Sequence, residues 1–458
     1  MNRIPVPGIL KDLSRTFTEA GYRVYLVGGA VRDIYLCRAA GDWDVATDAS
    51  PETVMRLFRR VIPTGIAHGT VTIHHKGAMI ECTTFRTETG YSDGRRPDSV
   101  AYAATIEEDL SRRDFTMNAI AVSLPDGEVV DPFGGRGDIK AGLIKTVGNA
   151  EERFSEDGLR PLRAVRFSAQ LDFRLDGRTK DAIRPALGVT ALVAKERVRD
   201  ELSKLLLSPV PSTGLRIMEE TGLLELLLPE LAACRGVEQK GLHRFDVLDH
   251  LYLACDACPQ NSLELRLAGL FHDIGKPETR VTDELGIHSF HHHEVASAKI
   301  AERVLNRLRY PQKTVRTVTH LVAQHMFHYE PNWSDAAVRR FIVRVGKEHI
   351  PALFDLRRAD GWAISGVRGE PLHLSEFGDR IDGVLARDHA FSLKDLAVNG
   401  NDLIRSGIPA GPETGLVLKE LFEAVLDDPE LNDRDRLTEI ALAFYNRITG
   451  LGTAVSQE

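Results

Sequence analysis

Two glycines between an apolar segment and a helix, followed by two aspartates two residues apart, restrict the fold of this chain more than any other feature. The apolar run Val24–Val27 predicts a buried strand, and Gly28-Gly29 lets a backbone approach a phosphate closely. The helix predicted next offers free N–H groups and the positive end of its dipole. Asp42 and Asp44 are predicted on the following strand, where they face the same way because strand side chains alternate.

The spacing of these two carboxylates predicts a divalent metal site. Two like charges held so close destabilise each other unless a cation lies between them. Mg²⁺ suits all-oxygen ligands and the phosphates of a nucleotide. Arg32 lies in the first turns of the predicted helix and adds a cation there. The combination indicates metal-assisted nucleotidyl transfer.

Length and composition define the class of protein. The 458 residues predict several domains, about three. Apolar content of 43% and charged content of 27% are typical of a soluble globular protein, and no run approaches the roughly 18 apolar residues of a membrane span. The N-terminus has no apolar signal region, so we expect a cytoplasmic protein without a membrane partner.

Five cysteines in such a chain do not make a disulfide framework. The net charge of −8 argues against coating nucleic acid through bulk charge, but it allows a local basic face.

The sequence changes character near residue 145. Before it, strand-like runs mix with helical ones, and afterwards helical periodicity dominates. We therefore expect an α/β head over 1–145, a neck over 146–210, a helical body over 211–365 and a helical tail over 366–458. Strands are predicted over 24–27, 71–74, 79–84 and 119–123. Helices are predicted over 156–170, 196–206, 246–258, 263–272, 294–308, 335–346 and 414–427.

The segment 107–118 offers groups for a nucleotide. Arg112 and Arg113 can bind a triphosphate, since guanidinium forks match phosphate oxygens. Asp114 can accept hydrogen bonds from ribose hydroxyls. By itself, however, the segment also fits a capped helix end with exposed ion pairs.

Segment 156–167 carries the sharpest signal for base specificity. Asp157 and Arg160 are three residues apart, which predicts that they share a helix face. Aspartate only accepts, so it can take the exocyclic amine of cytosine or adenine, and arginine only donates, so it can satisfy cytosine O2 and N3 or adenine N1. Uracil and guanine present a carbonyl to the carboxylate instead. The pair can thus select C and A without a template; the alternative is an ordinary salt bridge within a helix.

These motifs resemble the head of class II tRNA nucleotidyltransferases (CCA-adding enzymes) and bacterial poly(A) polymerases. The resemblance is carried by segments 26–33, 41–47, 112–118, 156–167 and 196–202. It implies a polymerase β-like palm with two Mg²⁺ ions on Asp42 and Asp44, one activating the primer 3′-hydroxyl and the other stabilising the departing pyrophosphate. It assigns orientation of the base-reading pair to Glu156, and nucleotide binding to Gly28, Gly29, Arg32, Arg112, Arg113, Asp114, Asn118, Asp157, Arg160 and Arg163.

Two features depart from the pattern of that family. Cys37 stands where relatives usually have a glycine, which affects a turn rather than the metal ligands. The third carboxylate that such palms often carry on a neighbouring strand is not evident, and Glu81 is its candidate.

The segment 87–97 contains Asp93, Arg95 and Arg96 and reads as a mobile surface loop. It resembles the flexible loop of full CCA-adding and A-adding enzymes, which CC-only enzymes lack. The resemblance implies that this chain can add the terminal adenosine.

A second site is predicted in the helical body, with His250, His272, Asp273 and Asp360 as ligands and His293 and His325 between them. Imidazoles and carboxylates that converge from separate helices suit a divalent transition metal, although single histidines are more often structural. The segment 270–277 resembles the signature of HD-domain phosphohydrolases. It implies a second, hydrolytic activity.

The segment 396–408 resembles the tail of the same family, which grips the elbow region of tRNA. We therefore expect tRNA, CTP and ATP as partners, and addition of CCA or only of the terminal A to tRNA 3′ ends. Two alternatives remain: a poly(A) polymerase, which shares the head motifs, and an HD phosphohydrolase acting on nucleotides or RNA ends. The sequence does not predict the oligomeric state.

Overall fold

A mixed α/β sheet opens the chain, and helices make up almost all of the rest. The computed structural model describes residues 3–39, 42–66, 69–89, 99–239, 244–367 and 369–449. The strands are β1 (Val24–Val27), β2 (Trp43–Thr47), β3 (Val61–Gly65), β4 (Thr70–His75), β5 (Ala78–Thr84), β6 (Arg86–Thr89), β7 (Ser99–Tyr102), β8 (Ala121–Ser123), β9 (Val129–Val130), β10 (Leu143–Ile144), β11 (Arg174–Leu175), β12 (Arg280–Thr282) and β13 (His288–Phe290).

Seven strands form the head sheet in the order β3-β4-β5-β2-β1-β8-β9. Strand β2 pairs parallel with β5, which places Asp44 beside Glu81, and antiparallel with β1. The turn after β1 therefore lies beside the start of β2. Asp42 precedes β2 by one residue, and the strand predicted over 119–123 begins only at Ala121, because Thr116–Asn118 forms a 3₁₀ turn.

The helices confirm a mostly helical remainder after the head. They are α1 (Gly8–Glu19), α2 (Gly29–Tyr35), α3 (Pro51–Leu57), α4 (Ile106–Ser111), α5 (Gly135–Ala141), α6 (Ala150–Glu156), α7 (Arg160–Leu171), α8 (Gly177–Asp181), α9 (Leu187–Ala191), α10 (Lys195–Leu206), α11 (Pro211–Thr221), α12 (Leu223–Leu227), α13 (Pro229–Ala232), α14 (Val247–Ala257), α15 (Leu263–Phe271), α16 (Lys276–Thr279), α17 (His293–Arg307), α18 (Gln312–Gln324), α19 (Asp335–Val345), α20 (Ile350–Ser365), α21 (Leu374–Arg387), α22 (Gly400–Arg405), α23 (Pro412–Asp427) and α24 (Arg434–Thr449).

The helix predicted over 156–170 is wrong in one respect that matters for function. The chain breaks between α6 and α7, and Asp157 is extended, with φ −139° and ψ 109°. A Cβ on Gly158 would approach the Val189 carbonyl oxygen to 2.5 Å, so the break depends on a glycine. Pro161 then occupies the first turn of α7, where a missing N–H costs nothing. Asp157 and Arg160 therefore do not share a helix face.

One continuous apolar core runs from Leu10 to Val384, and a second cluster runs from Ala390 to Ala441. Helix α21 belongs to the first core, so the division into neck, body and tail stays a prediction. A third, smaller cluster, which includes Val27, Ala46 and Phe85, supports β1, β2 and the segment after β5.

Three details complete the fold. Cys37 adopts a left-handed backbone with φ 53°, the conformation that glycine takes most easily. All five cysteines are free. In the part of the chain that the structure describes, no helix is both long and apolar enough to cross a bilayer.

Candidate active site and a second metal-ligand cluster

A cleft of about 880 Å³ lies where the head sheet meets α7 and α10. It brings together twelve residues predicted from the sequence: Gly28, Gly29, Arg32, Asp42, Asp44, Arg112, Arg113, Asp114, Asn118, Asp157, Arg160 and Arg163. Sequence reasoning missed Thr70, Thr83 and Arg86, which also line it. Thr70 on β4 and Thr83 on β5 come near the carboxylates through strand pairing, and Arg86, the first residue of β6, follows the end of β5 by two residues.

Three carboxylates lie together at the start of β2 and on the neighbouring strand β5. Asp42, Asp44 and Glu81 all line the cleft. Burial, with Glu81 and Asp42 nearby, raises the pKa of Asp44 to about 6, although Arg113 opposes the shift. Three carboxylates facing one space favour a bound cation. Glu81 thus occupies the place expected for the third carboxylate.

The glycine turn fits closely around these groups. Gly28 has φ +73°, and a Cβ there would lie 3.2 Å from Arg113 Nη1 and 3.5 Å from Asp44 Oδ2. A larger residue would be strained in its backbone and would crowd both side chains. Arg32 lies on α2 just beyond the turn, and its Nη1 donates to Asn118 Oδ1 at 3.0 Å.

Asp109 holds the two arginines predicted to bind triphosphate. Its side chain is fully buried, and Oδ1 accepts from Arg112 Nε at 3.1 Å and Nη2 at 2.8 Å. Oδ2 accepts from Arg113 Nη2 at 3.1 Å. Burial opposes ionisation of Asp109, but the two guanidinium groups outweigh it and hold the pKa below its ordinary value. The arginines are therefore oriented before any nucleotide binds.

Asp114 links the segment after α4 to α7. Its Oδ2 accepts from Arg163 Nε at 2.8 Å, and its Oδ1 accepts from the Phe115 amide at 2.8 Å and from Asn118 Nδ2 at 3.2 Å. Burial opposes ionisation, but Arg163 outweighs it and the pKa of Asp114 falls to about 2. The carboxylate stays ionised and available as an acceptor.

The two base-reading candidates are Asp157, just after α6, and Arg160, at the start of α7. Both line the cleft, and each is held by its own partner. Arg160 pairs with Glu156, and its guanidinium donates to the Arg153 carbonyl at 2.8 Å and to the Arg112 carbonyl at 3.1 Å. Asp157 accepts from both terminal nitrogens of Arg197, at 3.2 and 2.9 Å. Arg197 lies on α10, so the segment 196–202 fixes one member of the pair.

The predicted loop residues Asp93, Arg95 and Arg96 lie outside the described residues. Their interpretation stays a prediction from the sequence.

The four ligands predicted after the head, together with His293 and His325, form one buried cluster. His250 and His272 Nε2 lie 3.3 and 3.4 Å from Asp273 Oδ2, and 3.3 and 3.6 Å from Asp360 Oδ1. The other oxygen of Asp273, Oδ1, faces two more histidines: His293 Nε2 lies 3.0 Å from it and His325 Nε2 lies 3.6 Å from it. Two groups of three ligands share Asp273: one with His250 and His272, the other with His293 and His325.

Backbone carbonyls orient the imidazoles of this cluster. Nδ1 of His272, His293 and His325 contacts the carbonyls of Gly269, Phe290 and Val322 at 2.9, 2.8 and 2.7 Å. A carbonyl only accepts, so each ring donates through Nδ1 and directs Nε2 to the centre, as in metal sites. Burial lowers the pKa of His272, but Asp273 and Asp360 outweigh it and raise the pKa to about 10. A metal bound here would displace a proton.

A sheet that presents clustered carboxylates beside a glycine turn and a set of arginines defines a nucleotidyltransferase head. Three family models match successive parts of the chain: the Poly A polymerase head domain over 24–145, the probable RNA and SrmB-binding site of polymerase A over 172–235, and the HD domain over 242–362.

Whole-chain comparisons give the family. The CCA-adding enzyme of Lactobacillus johnsonii is 34% identical over 431 residues, which cover 94% of this chain and 95% of that protein. The Geobacillus kaustophilus enzyme is 36% identical over 438 residues, 94% of each. The crystal structure of Bacillus stearothermophilus CCA-adding enzyme in complex with CTP matches with a TM-score of 0.74 at 31% identity, over 97% of this chain and 99% of that one. The chain belongs to the CCA-adding enzyme family and is a tRNA nucleotidyltransferase that depends on a divalent metal.

Proposed function

We propose that this chain adds C, C and A in turn to tRNA 3′ ends, from CTP and ATP and without a nucleic-acid template. The observation that carries the proposal is that one cleft holds both the carboxylate cluster and the pair Asp157 and Arg160. The similarity to CCA-adding enzymes over the whole chain supports it.

The carboxylate cluster fits Mg²⁺. Asp42, Asp44 and Glu81 offer only oxygen ligands, which suit this ion. When bound, such ions activate an attacking hydroxyl and stabilise a departing pyrophosphate. Asp42 and Asp44 would hold them, while Arg112 and Arg113 bind the triphosphate oxygens and Asp114 accepts from the ribose.

Base selection follows from the hydrogen-bonding groups. Asp157 has two carboxylate oxygens, and Arg197 together with the Leu159 amide occupies three of about four acceptor positions. One position remains for the amine of cytosine or adenine. Arg160 supplies the donors, and Glu156 keeps it in place.

Two rival products need an experiment. An enzyme that adds only the terminal A, or a poly(A) polymerase, would use the same head. Purified protein should be given tRNA that lacks its CCA end, with CTP alone, ATP alone or both. The proposal expects two additions with CTP alone and a product that stops after CCA with both nucleotides. Incorporation of A alone, or a long A tract, would overturn it.

A second activity at the cluster in the body is supported by its geometry. We infer that His250, His272, Asp273 and Asp360 bind a divalent transition metal and hydrolyse a phosphoester, such as a 2′,3′-cyclic phosphate or 3′-phosphate at a damaged tRNA end. A metal held by these residues would supply a nucleophile for phosphorus at neutral pH. Metal analysis and phosphatase and phosphodiesterase assays on wild type and Asp273→Ala test this. Absence of metal, with equal inactivity over Mn²⁺, Ni²⁺, Co²⁺ and Mg²⁺, would make the cluster structural.

We also propose the division into head, neck, body and tail at residues 145, 210 and 365, with the tail binding tRNA. The five free cysteines support a reducing compartment, and we propose the cytoplasm. A truncation ending at residue 387 should keep nucleotide binding and lose affinity for tRNA; unchanged tRNA affinity would contradict the role of the tail.

A further inference from the structure

We propose that Tyr102 and Arg86 form the subsite for the 3′-terminal nucleotide of the RNA, with the base stacked on the tyrosine ring and a backbone phosphate at the arginine. This inference rests on the proposed nucleotidyl transfer. It gives the second substrate, the RNA end, a place next to the carboxylates.

Strand pairing places the two side chains together. Arg86 on β6 lies directly opposite Tyr102 on β7. Residues directly opposite in an antiparallel pair project from the same face, so the ring and the guanidinium are neighbours. Arg86 lines the cleft, and Tyr102 lies just beyond it, with 60% of its surface exposed. The pair therefore forms part of the rim.

One edge of the Tyr102 ring lies near Gly69. A Cβ on Gly69 would lie 3.7 Å from Tyr102 Cε1 and 3.7 Å from Thr84 Cβ. Gly69 has φ +73°, and Thr70, the next residue, lines the cleft. The ring thus lies near a glycine backbone at the cleft edge, and more than half of the residue's surface is exposed to a ligand.

The order of strands places this rim on the side from which the RNA must come. The carboxylates lie at the start of β2 and the glycine turn with Arg113 lies on the β1 side, whereas Thr70 and Thr83 lie on β4 and β5 and Arg86 follows the end of β5 by two residues. In phosphoryl transfer the attacking and leaving oxygens are roughly in line. If the triphosphate lies on the β1 side, the attacking 3′-hydroxyl enters from the β5 side. From Glu81 to Thr84 the strand advances about 10 Å, which one or two nucleotides span.

The chemistry of an aromatic ring beside a cation suits this role. The terminal nucleotide changes after each addition, so its subsite must accept different bases. Stacking does so, because every base has a π-face, and an adjacent arginine adds a phosphate contact. Asp157 and Arg160, in contrast, read the incoming base through hydrogen bonds. The cleft would thus have one selective and one tolerant base site.

A fluorescent RNA tests the subsite directly. A tRNA acceptor-stem minihelix with 2-aminopurine as its 3′-terminal base should lose fluorescence on binding to wild type and to Tyr102→Phe, but not to Tyr102→Ala. The KM for the minihelix should rise roughly 5- to 150-fold in Tyr102→Ala, with little change in the KM for CTP. Phe245→Ala removes an exposed aromatic outside the head and should behave as wild type.

The outcomes separate this inference from the proposed function. If wild type extends RNA while Tyr102→Ala keeps both the wild-type KM for the minihelix and the quenching, the subsite is wrong. If wild type transfers no nucleotide, the proposed function is wrong. If, in addition, Tyr102→Ala quenches the fluorescence as wild type does, the proposed subsite is wrong as well. Loss of quenching in Tyr102→Phe as well would show that the hydroxyl, and not stacking, makes the contact.

Discussion

Asp109→Asn is the sharpest test of how the cleft binds a triphosphate. Asp109 does not line the cleft, yet its buried carboxylate makes three hydrogen bonds to Arg112 and Arg113. Asparagine keeps the shape and removes the charge. The two guanidinium groups should then lose their common anchor while the carboxylate cluster and the base-reading pair stay in place.

The magnitude follows from those contacts. Removing one partner of a buried ion pair costs about 3–5 kcal/mol of stability. A hydrogen bond to a charged group contributes about 1.5–3 kcal/mol. If nucleotide binding loses the equivalent of one such contact through misplaced arginines, the KM rises roughly ten- to hundredfold. Because the triphosphate is common to both nucleotides, the KM values for CTP and ATP should rise by the same factor.

The assay is steady-state incorporation of CTP and of ATP, together with thermal unfolding. Asp402→Asn is a matched control, since Asp402 also binds two arginines, Arg405 and Arg434, but lies in the second core. It should lower stability without changing the KM of either nucleotide. Unchanged KM values in Asp109→Asn, or a rise for only one nucleotide, would refute the anchoring role.

Three further results are expected. Asp157→Ala should lower the selectivity for CTP and ATP over UTP and GTP roughly ten- to hundredfold. Unchanged selectivity would show that the base is read by other residues. Arg163 outweighs the effect of burial and lowers the pKa of Asp114 from 3.8 to about 2. The stability that this pair contributes is therefore complete above about pH 4 and is lost as the pH falls towards 2. The free energy of unfolding of Asp114→Asn, measured in urea, should lack that pH dependence. Asp273→Asn should reduce the metal content of the body, measured by elemental analysis, while CTP incorporation persists; equal metal content would contradict the ligand assignment.

Local patterns predicted much of the head and of both sites. The strand before Gly28 was predicted correctly because a short apolar run and a glycine pair act within a few residues. The ligands in the body were found because His272-Asp273 forms a contiguous motif and histidines in separate helices are conspicuous. Helix ends agreed to within one or two residues wherever periodicity was strong.

Long-range pairing could not be predicted in the same way. Thr70 lines the cleft only because β4 pairs with β5 and β5 pairs with β2, which depends on strand register. Arg86 reaches the cleft because it follows the end of β5 by two residues. The helix break at Asp157 depends on the close approach of Gly158 to Val189, a contact between distant segments. Arg197 entered the sequence analysis only as part of segment 196–202, with no partner predicted, since its pairing with Asp157 spans 40 residues.

The most direct test of the account is the length and sequence of the product made from tRNA that lacks CCA, with CTP and ATP together, by wild type and by Asp42→Ala and Asp44→Ala. We predict that wild type adds C, C and A and stops, and that both variants bind tRNA and retain their fold but add nothing in Mg²⁺. Near-normal incorporation by either variant, or a wild-type product other than CCA, would contradict the central claim.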